Sequence, residues 1–505
     1  MGTPRRVLLA AALFAAALLS VVSGVRTAFA ASGDWPRFRG PNGQGVAAEG
    51  ARPPVEFGVG KNVAWAAELP PGISSPVVAA GRIYLTAFAD KTLETICLDA
   101  ATGKILWRRA APAQKIEEVN SSNSPAASTP ATDGERVYVY FGSFGLVGYD
   151  RDGKELWQVP VPTPQNMFGT ATSPVVVGRN VVLVRDSDSL DSYMIAVDGK
   201  TGRQAWKAPR PLFKGSWSTP MLWRHEGVEE LVVLGTGRVV AYDPGGGAER
   251  WSVSGFPQMA ITTAVDGGGL LFAAKGGQGD PGQSLLNDLP RWPDLLKRFD
   301  ADGDGKIRRD EVPSDYGFEL RKDIPKGTDG NFLRMRGLIG MIDGDKDGAV
   351  GRFEWGMAAA FVAGNEDVLL AIKPGGEGDA TDTHVAWRQK RGLPELPSPL
   401  FYNGRLYLVK NGGIVSCLDP GTGKSIYRER LGAIGPYYAS PVAANGNIYA
   451  ASEGGVVSVF KAGDSFSPVA ECDLKERLTA TPAVVGDTLF VRTDKHLYAF
   501  RDAGQ

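Results

Sequence analysis

Short runs of alternating apolar and polar residues, broken by glycine and proline, cover most of the chain. SSPVVAAGRIYL (74–85), STPATDGERVYV (128–139), TSPVVVGRNVVL (172–183) and STPMLWRHEGVEELVVL (218–234) each open on Ser/Thr-Pro and continue as strand, turn and strand. The same pattern returns as PSPLFYNGRLYL (397–408), ASPVAANGNIYA (439–450) and TPAVVGDTLFV (481–491). Alternation with period two predicts half-buried β-strands, and proline at a strand's first position removes no ladder bond. A second motif follows five of these starts by 20 to 25 residues: CLDAATGKILW (97–107), AVDGKTGRQAW (196–206), AYDPGGGAERW (241–251) and CLDPGTGKSIY (417–427), with GYDRDGKELW (148–157) a shorter form. Here an aspartate can bond back to turn amides, glycine supplies positive φ, and an aromatic gives the last strand a large side chain to bury.

Spacing sets the architecture. Pro76, Pro130, Pro174 and Pro220 are 54, 44 and 46 residues apart, and Pro399, Pro441 and Pro482 are 42 and 41 apart. Four short strands per repeat of this length predict a propeller blade. A degenerate start at Thr262-Thr263-Ala264 gives eight starts, at 74, 128, 172, 218, 262, 397, 439 and 480. The last unit ends at HLYAF without its turn and tryptophan strand, and VAWAAEL (63–69) is the strand expected to complete it and close the ring. The expectation is an all-β eight-bladed β-propeller in two parts, 31–278 and 367–505. An α-helical EF-hand pair, 279–366, is inserted in blade five, which resumes at VLLAIKP (368–374) and finishes at HVAW (384–387).

The insert carries the clearest chemistry. In FDADGDGKIRRDE (299–311), Asp300, Asp302, Asp304, Gly305, Lys306 and Glu311 take the first, third, fifth, sixth, seventh and twelfth places of an EF-hand loop. DGDKDGAVGRFE (343–354) repeats this with Asp343, Asp345, Asp347, Gly348, Ala349 and Glu354. Carboxylates on alternate residues curl around a hard cation, glycine permits the sharp turn, and the seventh residue (Lys306 or Ala349) ligates through its backbone carbonyl. The last glutamate closes the shell with both oxygens. Two calcium ions are expected, structural rather than signalling, with water in the ninth place, where Arg308 weakens the first loop and Gly351 stands in the second. Ile307 and Val350 sit where paired loops share a short β contact. The stretches 289–299, 332–342 and 354–364 are expected to be the flanking helices.

Composition narrows the function. With 55 Lys+Arg against 56 Asp+Glu, nothing points to nucleic acid or an anionic membrane surface. Arg5 and Arg6, the apolar run Val7–Val22 and Ala28-Phe29-Ala30 predict a cleaved signal peptide over residues 1–30. The mature protein is thus expected to be exported, periplasmic or extracellular, with no membrane span. No cysteine near the cleavage point offers a lipid anchor. Cys97, Cys417 and Cys472 form no CxxC or CxxCH motif and read as small buried strand residues, their pairing left open. His225, His384 and His496 fall in separate blades without metal spacing. GTGKS (421–425) has Leu418 where a phosphate-binding loop needs glycine, so it reads as a repeat turn. NSSNSP (120–125) reads as a solvated loop, and there is no G-x-S-x-G elbow.

These repeats, with the opening DWPRFRGPNGQG (34–45), resemble bacterial proteins of the pyrroloquinoline-quinone-like propeller repeat superfamily, and among them exported members with EF-hand insertions. The superfamily includes quinoprotein alcohol dehydrogenases and the propeller lipoprotein that scaffolds outer-membrane barrel assembly. In the dehydrogenases the resemblance implies a quinone between a tryptophan floor and two adjacent disulfide-linked cysteines, with calcium and an aspartate base. No two cysteines are adjacent here, and Trp65, Trp107, Trp157, Trp206, Trp251 and Trp387 recur at the repeat position as blade packing. Pyrroloquinoline quinone is therefore not expected, and no catalytic residue is carried over. The expected function is a calcium-binding, non-catalytic scaffold for a protein or glycan on one propeller face. The alternative is a quinone-dependent dehydrogenase of alcohols or sugars. WPRFRGPNGQG is expected beneath the ring beside the closing strand, with Arg37 and Arg39 as a binding patch the competing reading.

Overall fold

The computed structural model describes residues 33–276, 290–319, 332–344, 346–362 and 367–503. The predicted signal peptide and Asp345 lie outside the described residues. Eight sheets follow one another along the chain. Blade one is Val77–Ala79, Arg82–Ala89, Thr92–Asp99 and Ile105–Ala110, each strand antiparallel to the next. Blade eight takes its fourth strand from the other end of the chain: Val63–Glu68 pairs with His496–Phe500, from Val63 opposite Phe500 to Glu68 opposite His496. That pairing makes the quinoprotein-like eight-bladed ring continuous.

Blade five is Val265–Gly267, Leu270–Lys275, Val368–Ile372 and Val385–Gln389, so the helical segment leaves and returns between its second and third strands. Helices α1 (Trp292–Phe299), α2 (Met335–Ile342) and α3 (Arg352–Val362) lie in that segment. Residues 332–334 depart from the expected helix. Phe332–Arg334 forms a strand against Gly317–Glu319, which holds Phe318 in the segment's own apolar core with Trp292, Phe299 and Trp355. Blade four gains a fifth strand that no sequence pattern announced: Gly378–Asp379, from blade five, runs parallel to Trp251–Ser252.

Two sets of contacts join neighbouring blades. At the outer radius the strand-end tryptophan of one blade covers the turn glycine of the next. A Cβ on Gly103 would lie 2.4 Å from Trp65, one on Gly153 2.6 Å from Trp107, and one on Gly423 2.6 Å from Trp387. The indoles of Trp65, Trp107 and Trp157 donate to the carbonyls of Ala100, Arg151 and Gly199 in those turns. GTGKS is thus a blade turn beneath Trp387. In the turns themselves, Asp99, Asp198 and Asp419 accept amide hydrogens from within the motif, as the spacing predicted.

At the inner radius the residue before each motif proline links blade to blade. Ser75 N donates to Thr129 Oγ1 (3.0 Å), Thr129 N to Ser173 Oγ (3.0 Å) and Ser173 N to Thr219 Oγ1 (3.2 Å). Thr263 N donates to Ser398 Oγ (2.9 Å), Ser398 N to Ser440 Oγ (3.0 Å), Ser440 N to Thr481 Oγ1 (3.0 Å) and Thr481 N to Ser75 Oγ (3.1 Å). Among the described residues only the step from Thr219 to Thr263 lacks this bond, and Thr263 Oγ1 is buried without a partner.

The N-terminal segment closes one end of the ring. It does not run beside the closing strand but crosses the centre, bonding to the innermost strands. Trp35 exchanges backbone bonds with Val78, the Pro36 carbonyl accepts from Thr132 N, and Gly45 O accepts from Ala443 N. Arg37 Nη2 donates to Pro220 O (2.5 Å), Asn42 Nδ2 to Leu222 O (2.8 Å) and Arg39 Nη2 to Pro399 O (2.6 Å). With exposures of 7% and 0%, Arg37 and Arg39 form no surface patch. Burial lowers their pKa to about 10 and about 9, still protonated at neutral pH, and backbone carbonyls serve them as acceptors.

We expect Gly153→Ala to lower the midpoint of urea unfolding. The added methyl meets Trp107 at a φ of +79°, a combined cost of about 2–4 kcal/mol. Gly134→Ala is the control: its φ is +91° but the space around it is open, and it should cost about 1–2 kcal/mol.

Candidate functional sites: the acidic loops and the axial cavity

Each acidic loop follows a helix that ends on its first aspartate: Asp300 N donates to Leu296 O, and Asp343 N to Ile339 O. In the first loop Asp300 accepts the amides of Gly303 (2.8 Å) and Gly305 (3.0 Å), and Asp304 accepts that of Lys306 (2.8 Å). The turn at Gly305 has a φ of +79°. Glu311 reaches back to the amides of Ala301 (3.0 Å) and Arg308 (2.6 Å). The second loop repeats the plan. Asp343 accepts from Asp347 N and Gly348 N, Asp347 from Ala349 N, and Glu354 from Gly344 N and Gly351 N. A two-residue ladder, Ile307 opposite Val350 and Arg308 opposite Ala349, joins the loops.

Carboxylate oxygens of Asp300, Asp302 and Asp304 lie within 4.8 Å of one another. That is a hard-oxygen donor set, and it fits calcium. Arg308 leans on it, bonding Asp302 (2.6 Å) and Asp304, while Lys306 reaches across to Asp347 of the second loop. The Lys306 amide and Arg308 hold Asp304 below the usual carboxylate range, and Lys306 does the same for Asp347.

The second loop and α3 rest on blade four. Gly344 leaves no room for a Cβ against Leu212. Phe353 stacks on Phe213 at 5.6 Å, with the Arg238 guanidinium 4.1 Å from the Phe353 ring. Arg352 pairs with Asp379 (2.8 Å) and Asp382 (2.9 Å) of blade five. Arg352, Phe353 and Glu354 are consecutive, so one helical turn carries both the loop's closing carboxylate and its anchorage.

A cavity of about 450 Å³ occupies the propeller axis. Its lining includes the ring hydroxyls of Ser75, Thr129, Ser173, Ser398, Ser440 and Thr481 and, from the segment that crosses the centre, Phe38. Around them stand Phe168, Trp217, Met259, Ile261 and Tyr438 from the loops that lead into the inner strands. Trp217 meets Phe168 edge-on at 5.7 Å and donates to Gly169 O. Ser122 and Asn123 also line the cavity, so NSSNSP is only partly a solvated loop: Asn123 donates to Phe168 O (2.8 Å) and Thr170 O (3.2 Å). The charged lining groups are Lys275 and Glu395. Lys275 is 5% exposed; burial pushes its pKa down, and Glu395 and Asp367 oppose that shift. No motif pointed to Lys275, Trp217 or Tyr438.

Among the described residues, the adjacent cysteine pair and the carboxylates that a calcium-bound quinone needs are not brought together. Cys97, Cys417 and Cys472 are free, buried and in different blades. The repeat tryptophans Trp65, Trp107, Trp157, Trp206 and Trp387 lie over turn glycines. Glu395 is the one carboxylate lining the cavity among the described residues, too few for a calcium ion beside a quinone. His225 and His496 bond Glu230 (2.9 Å) and Glu476 (2.8 Å) within their own blades, and His384 bonds Thr383.

Fold and cavity together define a propeller of the quinoprotein-like class. Residues 59–189, 164–275 and 378–505 match the family described as outer membrane protein assembly factor BamB, and the chain belongs to that family. The BamB of Burkholderia pseudomallei (strain K96243) is 32% identical over 132 residues, which are 26% of this chain and 29% of that protein. Quinohemoprotein alcohol dehydrogenase ADH IIB of Pseudomonas putida is 26% identical over 137 residues, 26% of this chain and 19% of that protein. The chain thus spans less than a third of either relative. The crystal structure of BamB from Moraxella catarrhalis superposes with a TM-score of 0.50 at 12% identity, covering 87% of this chain and 98% of that one. Saccharomyces cerevisiae Sqt1 gives 0.53 at 9% identity, covering 88% and 99%. Both of these show the fold alone.

Burial pushes the Cys97 thiol up to about 12 and the Cys417 thiol to about 11, and raises Cys472 as well. We expect no cysteine of the native protein to react with iodoacetamide at about pH 8, where little thiolate is present. All three should react after denaturation, as counted by mass spectrometry.

Proposed function

We propose that the protein is a calcium-binding propeller of the cell envelope, acting as a non-catalytic scaffold. The observation that carries the calcium reading is the convergence of Asp300, Asp302 and Asp304, with Glu311 folded back onto the same loop. Asp343, Asp347 and Glu354 supply the second site with the same amide pattern; Asp345 completes it by sequence. The backbone carbonyls of Lys306 and Ala349 would add one ligand each. The scaffold and envelope readings draw on the family, whose name describes outer-membrane protein assembly, and on the basic-then-apolar start of the chain. Calcium would hold α3 in place, and through Arg352 and Phe353 keep the inserted segment seated on blade four and on the Asp379–Asp382 turn.

Calorimetric titration of the mature protein should show two calcium sites, in the range of about 10⁻⁴ to 10⁻³ M common for extracellular modules. Glu311→Gln with Glu354→Gln should weaken both at least tenfold, and Arg308→Ser should tighten the first. Unchanged affinity in the double variant would overturn the ligand assignment. Chelation should speed limited proteolysis within the inserted segment while the blades stay intact.

A further inference from the structure

The geometry points to the axial cavity as a receptor for a carboxylate carried on an apolar, ring-sized group, with Lys275 as its counter-ion. This deepens the scaffold reading and rests on it, naming the chemistry that the propeller face would hold.

Lys275 is the starting point. Lys275 is nineteen-twentieths buried, and a cation taken out of water needs counter-charge close by; Glu395 and Asp367 act on it through space and offset only part of the effect of burial. Its ammonium donates to the adjacent Gly276 carbonyl, and it forms no ion pair among the described residues. Glu395 shares the cavity but accepts from Asn411 Nδ2 at 3.2 Å. Packing does not demand a lysine at this register. Counted from the first paired residue of each inner strand, the same place holds Ala87 in blade one, Gly235 in blade four and Ser452 in blade seven, while blade six also has a lysine there, Lys410, which is only half-buried. Where blade three places Arg185 there, Asp191 pairs with it at 2.8 Å. Lys275 is left without such a partner, at the wall of a cavity.

The surroundings select the rest of the ligand. A volume of about 450 Å³ admits one ring with its substituents, within the range of about 300–1,000 Å³ typical of small-ligand sites. Phe168, Trp217, Met259, Ile261 and Tyr438 offer an apolar and aromatic wall. A cation beside aromatic rings suits a carboxylate on an apolar body. Its source is either a free aromatic acid or the last residue of a polypeptide.

The test is calorimetry on the full mature chain in calcium with four probes: N-acetyl-phenylalanine, its amide, and a flexible decapeptide ending in phenylalanine as free acid and as amide. At least one acid should bind, with its amide at least about tenfold weaker, a difference of about 1.4 kcal/mol. A peptide acid at least tenfold tighter than N-acetyl-phenylalanine identifies a chain terminus as the source; equal or weaker binding identifies a small acid. Lys275→Met should abolish the preference for the acid without lowering the thermal midpoint, and Lys275→Arg should keep it. The inference falls if neither acid binds at about 10 mM, if amides bind as well as acids, or if Lys275→Met retains the preference. Failure of the calcium sites is read separately in the Glu311 and Glu354 variants, which leave the cavity lining untouched.

Discussion

A backbone amide donating to the hydroxyl of the next blade is the bond on which this propeller turns. Proline after the hydroxyl residue restricts that residue to extended conformations, so the Ser or Thr enters each inner strand in one geometry. The hydroxyl is short enough to reach the neighbouring amide, and apart from Thr219 and Thr263 each residue both donates and accepts, which passes the same geometry from blade to blade. Seven such links are made. The missing one would end on Thr263, the one motif residue followed by alanine (Ala264) instead of proline. A net gain of about 0.5–1.5 kcal/mol per bond is modest, but seven of them in succession leave little freedom for the blades they join to tilt.

The same ring creates the cavity. Small hydroxyl side chains at the innermost position cannot fill the axis, and the tryptophans that could are held at the outer radius over turn glycines. The segment from Trp35 to Gly45 therefore crosses one end, held by carbonyls and amides that the short inner strands leave unpaired. Its two buried arginines suit this work because each guanidinium spreads its charge over several donors. The result is a chamber with a polar waist, an aromatic wall, one amine and one carboxylate.

Much of this was legible because two periods reinforce each other, alternation within strands and the longer blade repeat between prolines. Blade number, the closing strand Val63–Glu68 and the interruption of blade five follow from those periods alone. The acidic loops were legible for a different reason: ligand spacing is dictated by the size of a cation. What escaped has no local signal. Gly378–Asp379 is too short to show a pattern and pairs outside its own blade. The path of WPRFRGPNGQG depends on carbonyls hundreds of residues away. Lys275 ends its strand as a solvent-facing lysine would; its burial comes from the strand pointing at the axis, which only the assembled ring defines.

The insertion point joins the two candidate sites. Lys275 stands opposite Val368 in the ladder of blade five, so the inserted segment leaves and returns through a pair of residues already fixed by the sheet. Closing a longer loop between fixed ends costs only about 0.6 kcal/mol for each doubling of its length, so blade five can carry the segment at small expense. The first anchored residue on the propeller side is also the cavity's cation, and the segment's firmest docking, at Arg352 and Phe353, lies on and beside blade four. Blades four and five are the pair whose inner link is missing. The fold thus gathers its unlinked step, its buried lysine and the docking of its inserted segment along one boundary.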